Sequence, residues 1–439
     1  MLFRDATLAD GRRADVRVED DRITAVESQL SAGEETVVDA AGKLLFPGAV
    51  DVHVHFRQPG FDHKETWATG SRSAAAGGVT TVVDQPNTDP PTVSGEAVDE
   101  KAALARESLV DHGINGGVTP DWDPDSLFER PLFALGEVFL ADSTGEMGIG
   151  ESLFRTACER AAEADVVVTV HAEDADRFDE SVLPHSTDAS GEAASSATDR
   201  ADPDAWSAYR TAEAEVKAVE RACAIADETG ADLHVAHTST PGGVRTAAAA
   251  GATSEVTPHH LLLSRDDLDD LGTFGRMNPP LRDESRRQTL FELLVDGTVD
   301  VVATDHAPHT REEKDATVWD APSGVPGVET MLPLLLAQAH EDRIGYERVR
   351  DVTARNPARI FDLPRKGRVA PGYDADLVLV DPDATTEIRG ESLHSKCGWT
   401  PFEGHTAVFP ELTMVRGDVV YERDGDEQFG PPAGRNVRR

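Results

Sequence analysis

A chain of 439 residues with 39% hydrophobic content can bury a large core. Its 81 acidic and 42 basic residues leave a formal net charge of −39, whose field repels nucleic acid and anionic membrane surfaces and excludes both as partners. No stretch approaches a transmembrane span and MLFRDATLADGRR lacks the apolar core of a signal peptide, so a cytoplasmic protein is expected.

The acids are spread through patterned segments such as SRDDLDDLG, and lysine is scarce beside arginine, as on the surfaces of salt-adapted proteins. Cys158, Cys223 and Cys397 are scattered and odd in number, which argues against a disulfide framework or a zinc ribbon.

The first segment, residues 1–46, alternates short β-like runs (ADVRVED, RITAVES, TVVDAAG) with turns, and residues 367–428 do the same. Two strand-rich ends around a long middle predict one small β-sandwich domain assembled from both termini. Residues 429–439 read as a frayed tail. Between the ends, residues 47–366 repeat strand, loop and helix. The predicted strands are LLFPGAVDVHV, VTTVVDQ, GINGGV, ALGEVFLA, DVVVTVHA, DLHVAH, TSEVTP and VDVVATD. Amphipathic helices separate them, among them a single long one over AWSAYRTAEAEVKAVERACAIADE. Eight β-branched runs alternating with helices predict the α/β class and a closed (β/α)8 TIM barrel. No GxGxxG or Walker sequence sits at a strand–helix turn, so no nucleotide cofactor is indicated.

The polar residues fall at the strand ends. His53 and His55 end the first strand, Glu137 and Asp142 lie at or past the fourth, and His171, His237 and Asp305 end the fifth, sixth and eighth. In a barrel these positions ring the C-terminal mouth. On a strand, His53 and His55 share a face, because side chains alternate with period two, and two imidazoles at one level suit zinc. The same alternation puts His234 and His237 on opposite faces, so both cannot point into the barrel; His237, nearer the strand's end, is preferred over His234. His259 and His260, past the seventh strand, are expected to support ligands rather than bind metal.

FPGAVDVHVHFRQPGFDHKETWATGSRSAAAGGVTTVVDQPNT resembles the signature segment of dihydroorotases, within the amidohydrolase superfamily. HAED, HVAHTST, VTPHHL, RMNPPLR and ATDHAPHTREEK resemble later blocks of that family in the same order, so the likeness runs from about Gly48 to Pro357. The resemblance implies two divalent ions per chain, normally zinc. His53, His55 and Asp305 would hold one, His171 and His237 the other, and a carboxylate would bridge them. Many relatives use a carboxylated lysine for that bridge; here ALGEVFLADSTGEMG has Glu137 in its place, with Asp142 as the alternative.

The implied reaction is reversible closure of N-carbamoyl-L-aspartate to L-dihydroorotate and water, with a hydroxide shared by the ions and Asp305 as general acid and base. Arg57 would fork onto the substrate carboxylate, a geometry that guanidinium suits. Asn87, Asn278 and His309 match the family's other substrate contacts, and Ser323 and Gly324 are weaker candidates as backbone donors. The rival readings are another cyclic amide hydrolase, such as an allantoinase or dihydropyrimidinase, and a noncatalytic homologue. The expected partner is a small-molecule substrate; self-association into a homo-oligomer stays open.

Overall fold

The computed structural model describes residues 1–143, 147–183 and 202–438. Residues 144–146, within the predicted bridge segment, and Arg439, the last residue of the predicted tail, fall outside them.

The N-terminal strands β1 (Leu2–Leu8), β2 (Arg13–Glu19), β3 (Arg22–Glu27), β4 (Val37–Asp39) and β5 (Leu44–Pro47) form half of a sheet. Eight parallel strands follow: β6 (Ala49–Val54), β7 (Val79–Asp84), β8 (Asp111–Ile114), β9 (Leu135–Phe139), β10 (Val168–His171), β11 (Leu233–Val235), β12 (Thr253–Val256) and β13 (Val301–Val302). They run as a three-stranded and a five-stranded sheet. Parallel bridges join the two, Gly116 to Leu135 on one side and Val54 to His306 on the other, and close the barrel. The C-terminal strands β14 (Leu377–Val380), β15 (Thr385–Glu387), β16 (Thr406–Val408), β17 (Leu412–Val415), β18 (Asp418–Asp424) and β19 (Asp426–Phe429) complete the architecture.

The terminal sheet has the order β19-β18-β17-β14-β5-β1-β2-β3, with β4 also on β1. Its seam is the antiparallel pair β5–β14, Leu45 opposite Leu379, so the two ends of the chain make one sandwich-like layer. Phe3, Val16, Ile23, Leu45, Leu377 and Met414 form its core. The predicted first strand, LLFPGAVDVHV, breaks at Gly48, and its halves serve different sheets. A Cβ at Gly48 would lie 2.1 Å from Thr80 Oγ1, so only glycine allows this crossing.

Helices pack their small apolar faces against the barrel, as Ala74–Ala76 and Ala218–Ala222 show. The floor of the barrel is filled by Val50, Val52, Val301 and Ala303, with the rings of Phe133 and Phe361 stacked 4.9 Å apart. The predicted long helix from Ala205 is two helices, Ala205–Tyr209 and Ala212–Thr229. It breaks where Arg210 turns into the barrel and Thr211 caps the second helix through the Ala214 amide.

The tail is not frayed. Gly434 and Val437 donate to the carbonyls of Ser108 and His112, the Arg435 amide donates to Asp111 Oδ1, and Arg438 reaches the Phe361 carbonyl. Beside it, Lys366 is buried between Asp111 (2.8 Å) and Asp376, and Arg416 also pairs with Asp111. The tail is held because it satisfies this charged floor, which local composition does not reveal. No helix among the described residues is long and apolar enough to cross a membrane.

Candidate active site

Five barrel strands carry polar residues within, at or just past their C-terminal ends. His53 and His55 straddle the end of β6, Glu137 lies within β9, and His171 ends β10. His237 and Asp305 follow β11 and β13 with φ of 30° and 46°, which turns their side chains back over the mouth. Such backbone is uncommon for residues other than glycine and is sustained by surrounding contacts. Gly136 has φ of 140°, and a Cβ there would lie 2.2 Å from Thr169 Oγ1, so β9 lies against β10 just where Glu137 enters the barrel.

The convergence is tight. Ligand atoms of His53, His55 and Asp305 lie within 4.8 Å of one another, as do those of His53, Glu137 and His237. Glu137 stands between two groups of imidazoles: Oε2 is 3.3 Å from His53 Nε2, while Oε1 meets His171 Nδ1 (3.1 Å) and His237 Nε2. His55 Nε2 meets Asp305 Oδ1 at 2.9 Å. All these groups are buried. Of the two candidate bridges, Glu137 is at the centre. Asp142 is exposed and accepts from the Gly148 amide instead.

Electrostatics follow from that packing. Burial alone would raise the Glu137 carboxyl, yet His237 and His53 hold it well below the usual range. Burial likewise opposes ionisation of Asp305, and the neighbouring imidazoles outweigh it. Burial pulls His171 down, but Glu137 and Glu173 raise it to about 9. The carboxylates at the centre are therefore anionic, as cation ligands must be. His53 Nε2 and His237 Nδ1 are buried without a hydrogen-bond partner. Nitrogen lone pairs and carboxylate oxygens aimed at one small volume fit a divalent metal of the zinc type.

A second layer of acceptors fixes the rings. His55 Nδ1 donates to Asn87 Oδ1 (2.7 Å), His171 Nε2 to Glu173 Oε2 (2.8 Å), and His53 Nδ1 to Glu255 Oε1 (2.6 Å). Arg210 holds Glu173 through Nε and Nη2. Glu173, Arg210 and Glu255 were not singled out from the sequence. The available signals were an acid two residues after the ligand in HAED and an acid in the middle of the strand TSEVTP.

Over the centre, a small cavity is lined by Arg57, Asn87, Ser143, Asn278, Asp305 and Ser323, among others. Arg57 is 3% exposed; its Nε donates to the Pro308 carbonyl, and one terminal nitrogen lies 3.2 Å from His309 Nε2. Among the described residues no carboxylate lies within ion-pair distance of it, and burial pulls its pKa down to about 10. Asn278 accepts from Trp206 Nε1 (2.9 Å) and donates to Ser143 Oγ (3.0 Å).

Three expectations change. His309 does not face the cavity: its Nε2–H donates to the Ser323 carbonyl (3.0 Å), its Nδ1 lies 3.1 Å from Lys64 Nζ, and the ring backs Arg57. Gly324 is no free donor, because its N–H bonds the Arg276 carbonyl. His234 points inward as well as His237, one level lower, against Glu255 and the Phe361 ring. Strand alternation does not separate them, because β11 ends at Val235 and the chain then turns. His260 is bonded to Thr257 Oγ1 and the Pro279 carbonyl, and burial keeps it neutral, in line with a supporting place.

A parallel barrel with histidines and carboxylates gathered at its mouth is the architecture of metal-assisted amide hydrolases. Residues 44–420 match the amidohydrolase family, and the chain belongs to it. It is 66% identical over 440 residues to a dihydroorotase of Halobacterium salinarum, covering 100% of both chains. It is 42% identical over 429 residues to a dihydroorotase of Methanosarcina acetivorans, covering 94% of this chain and 89% of that one. Among solved structures, the L-hydantoinase (dihydropyrimidinase) of Arthrobacter aurescens superposes with a TM-score of 0.91 at 29% identity, over 100% and 99% of the two chains.

Proposed function

We propose that this chain is a dihydroorotase, closing N-carbamoyl-L-aspartate to L-dihydroorotate and opening it again, with two zinc ions per chain. The observation that carries the substrate is Arg57, a buried guanidinium on the cavity wall with no carboxylate at ion-pair distance among the described residues. Burying such a charge is costly unless an anion meets it, and the free carboxylate of this substrate is that anion. The identity to curated dihydroorotases over the whole chain supports the same choice.

In this reading His53, His55 and Asp305 would hold one ion, His171 and His237 the other, and Glu137 would serve both. Ions so held would polarise the amide carbonyl and bring the pKa of water down to about 7. The chain's own groups do the rest. Arg57 clamps the substrate carboxylate and fixes which ring face meets the centre. Asn87 accepts from His55 through its oxygen, which leaves its amide N–H groups for the substrate. Asn278 is held by Trp206 and Ser143 at the ring-amide side of the cavity. Asp305, ionised and 2.9 Å from His55, takes the proton of the attacking water and returns it to the leaving ring nitrogen; closure runs these transfers backwards.

The test is a parallel assay of purified protein, with metal content measured on the same sample. Dihydroorotate, allantoin, dihydrouracil and a 5-substituted hydantoin are each followed by loss of ring-amide absorbance. Dihydroorotate turnover with about two zinc ions per chain is expected. Turnover of hydantoin or dihydrouracil in its place would move the chain to the hydantoinase-like branch that its fold also matches.

A further inference from the structure

Beneath the centre, Glu255 on β12 touches both halves of the candidate ligand set. Its Oε1 accepts from His53 Nδ1 at 2.6 Å and from the backbone N–H of His237 at 3.1 Å. Its Oε2 accepts from His234 Nε2 at 3.1 Å, and His234 Nδ1 meets Thr253 Oγ1 at 2.8 Å. Glu255 is 1% exposed and His234 fully buried, so solvent replaces none of these bonds.

An ionised carboxylate can only accept, and its two oxygens have room for all three donors. It therefore fixes His53 as the Nδ1–H tautomer and leaves the Nε2 lone pair aimed at the centre, where that nitrogen has no hydrogen-bond partner. Its second bond acts on backbone. His237 sits at φ of 30°, and an N–H bonded to a buried anion helps hold that uncommon conformation. One side chain thus sets the tautomer of one candidate ligand and the backbone of another.

We propose that Glu255, braced by His234, is a positioning residue that couples the two metal sites, so that loosening it weakens both together. The proposal rests on the two-ion reading above. It also gives His234 a purpose, as the strut that keeps Oε2 engaged while Oε1 serves the ligands.

Glu255→Gln and Glu255→Asp separate chemistry from packing. Glutamine keeps the size but presents an N–H2 group. Turned toward His53 Nδ1, it would favour the Nε2–H tautomer, which has no lone pair on Nε2 to offer a metal at the centre. Aspartate is shorter but remains acceptor-only. Zinc affinity at each site is measured by dialysis of holoenzyme against graded chelator with metal analysis, beside melting of the metal-free protein. Glu255→Gln is expected to lose about 10- to 100-fold in affinity at both sites, and Glu255→Asp less. Loss at one site alone, no loss, or glutamine holding zinc as well as aspartate would overturn the proposal.

Should Glu255→Gln fail to fold, His234→Gln is tested in the same dialysis. A smaller loss shared by both sites is expected, and an unshared loss or none overturns the coupling. A parent protein that binds no zinc refutes the metal reading itself, whereas a two-zinc parent with an unaffected variant refutes only the place of Glu255.

Discussion

Replacing Arg57 with methionine should move activity and stability in opposite directions. At neutral pH the guanidinium is charged in the folded and unfolded chain alike. The fall in its pKa from 12.5 to about 10, where burial outweighs the attraction of Asp305, Asp84 and other carboxylates, therefore corresponds to a net cost of keeping the charge on folding of roughly 3 kcal/mol at one pKa unit per 1.36 kcal/mol. Part of that is offset by the bond to Pro308, which methionine forfeits at about 1 kcal/mol.

Arg57→Met should thus be as stable as the parent or more stable by about 2 kcal/mol. Its kcat/KM for dihydroorotate should fall by the loss of a charge-assisted pair to a desolvated carboxylate, about 2–5 kcal/mol, or roughly 30- to 5,000-fold. Steady-state kinetics, denaturant melts and zinc analysis on one preparation check all three quantities. A variant that loses activity and stability together, or keeps its kinetics, would refute the assignment of Arg57 to the substrate carboxylate.

The remaining predictions concern the centre, the barrel floor and the surface. Glu137→Gln should reduce zinc to about one per chain and remove most activity, whereas Asp142→Asn should keep both ions; metal analysis showing the reverse would hand the bridge to Asp142. Lys366→Met leaves Asp111 and Asp376 buried with fewer partners and should cost about 3–5 kcal/mol in a urea melt. Burial opposes the charge of Lys366, but Asp376 and Asp111 raise its pKa above 10.5. Its contribution is therefore full below 10.5 and fades as pH rises through the higher folded value. Asp111, which burial would raise but Lys366 and Arg416 lower below 3.8, contributes fully above 3.8 and loses that contribution as pH falls further. Stability of the parent relative to Lys366→Met should accordingly be flat between these limits and narrow at both extremes. With a net charge of −39, the melting temperature should climb steeply from low salt to molar potassium chloride, where the Debye length is about 3 Å; a salt-independent melt would contradict the salt-adapted reading.

Much of the site was legible because barrel chemistry sits at strand ends, which apolar runs mark. His53, His55, Glu137, His171, His237 and Asp305 all converge as their positions implied. The layer behind them was not legible. Glu255 and Glu173 act through contacts between strands far apart in sequence, and nothing local distinguishes a bracing carboxylate from a surface one. The inward turn of His237 depends on a positive φ after a three-residue strand, which no alternation rule anticipates. The helix break at Arg210 and the docked tail share a cause: buried charges elsewhere recruit those segments. His309 matched a substrate contact by position, but the cation of Lys64 and the carbonyl of Ser323 occupy its ring.

The seam between β5 and β14 imposes an order on biogenesis. Pro47 leaves the ribosome long before Leu377, and at about 5–20 residues per second the gap lasts tens of seconds. Throughout that interval Leu44–Phe46 present an apolar strand edge with no neighbour on one side, the kind of edge that recruits other nascent chains. The barrel can assemble while the edge waits, but the terminal layer cannot close until β14 and β17 arrive. Proline at the end of β5 limits how far a foreign strand can extend along it, and the heavy negative charge keeps neighbouring chains apart. The acidity expected to make the finished enzyme depend on salt would thus also guard the unfinished one against its own kind.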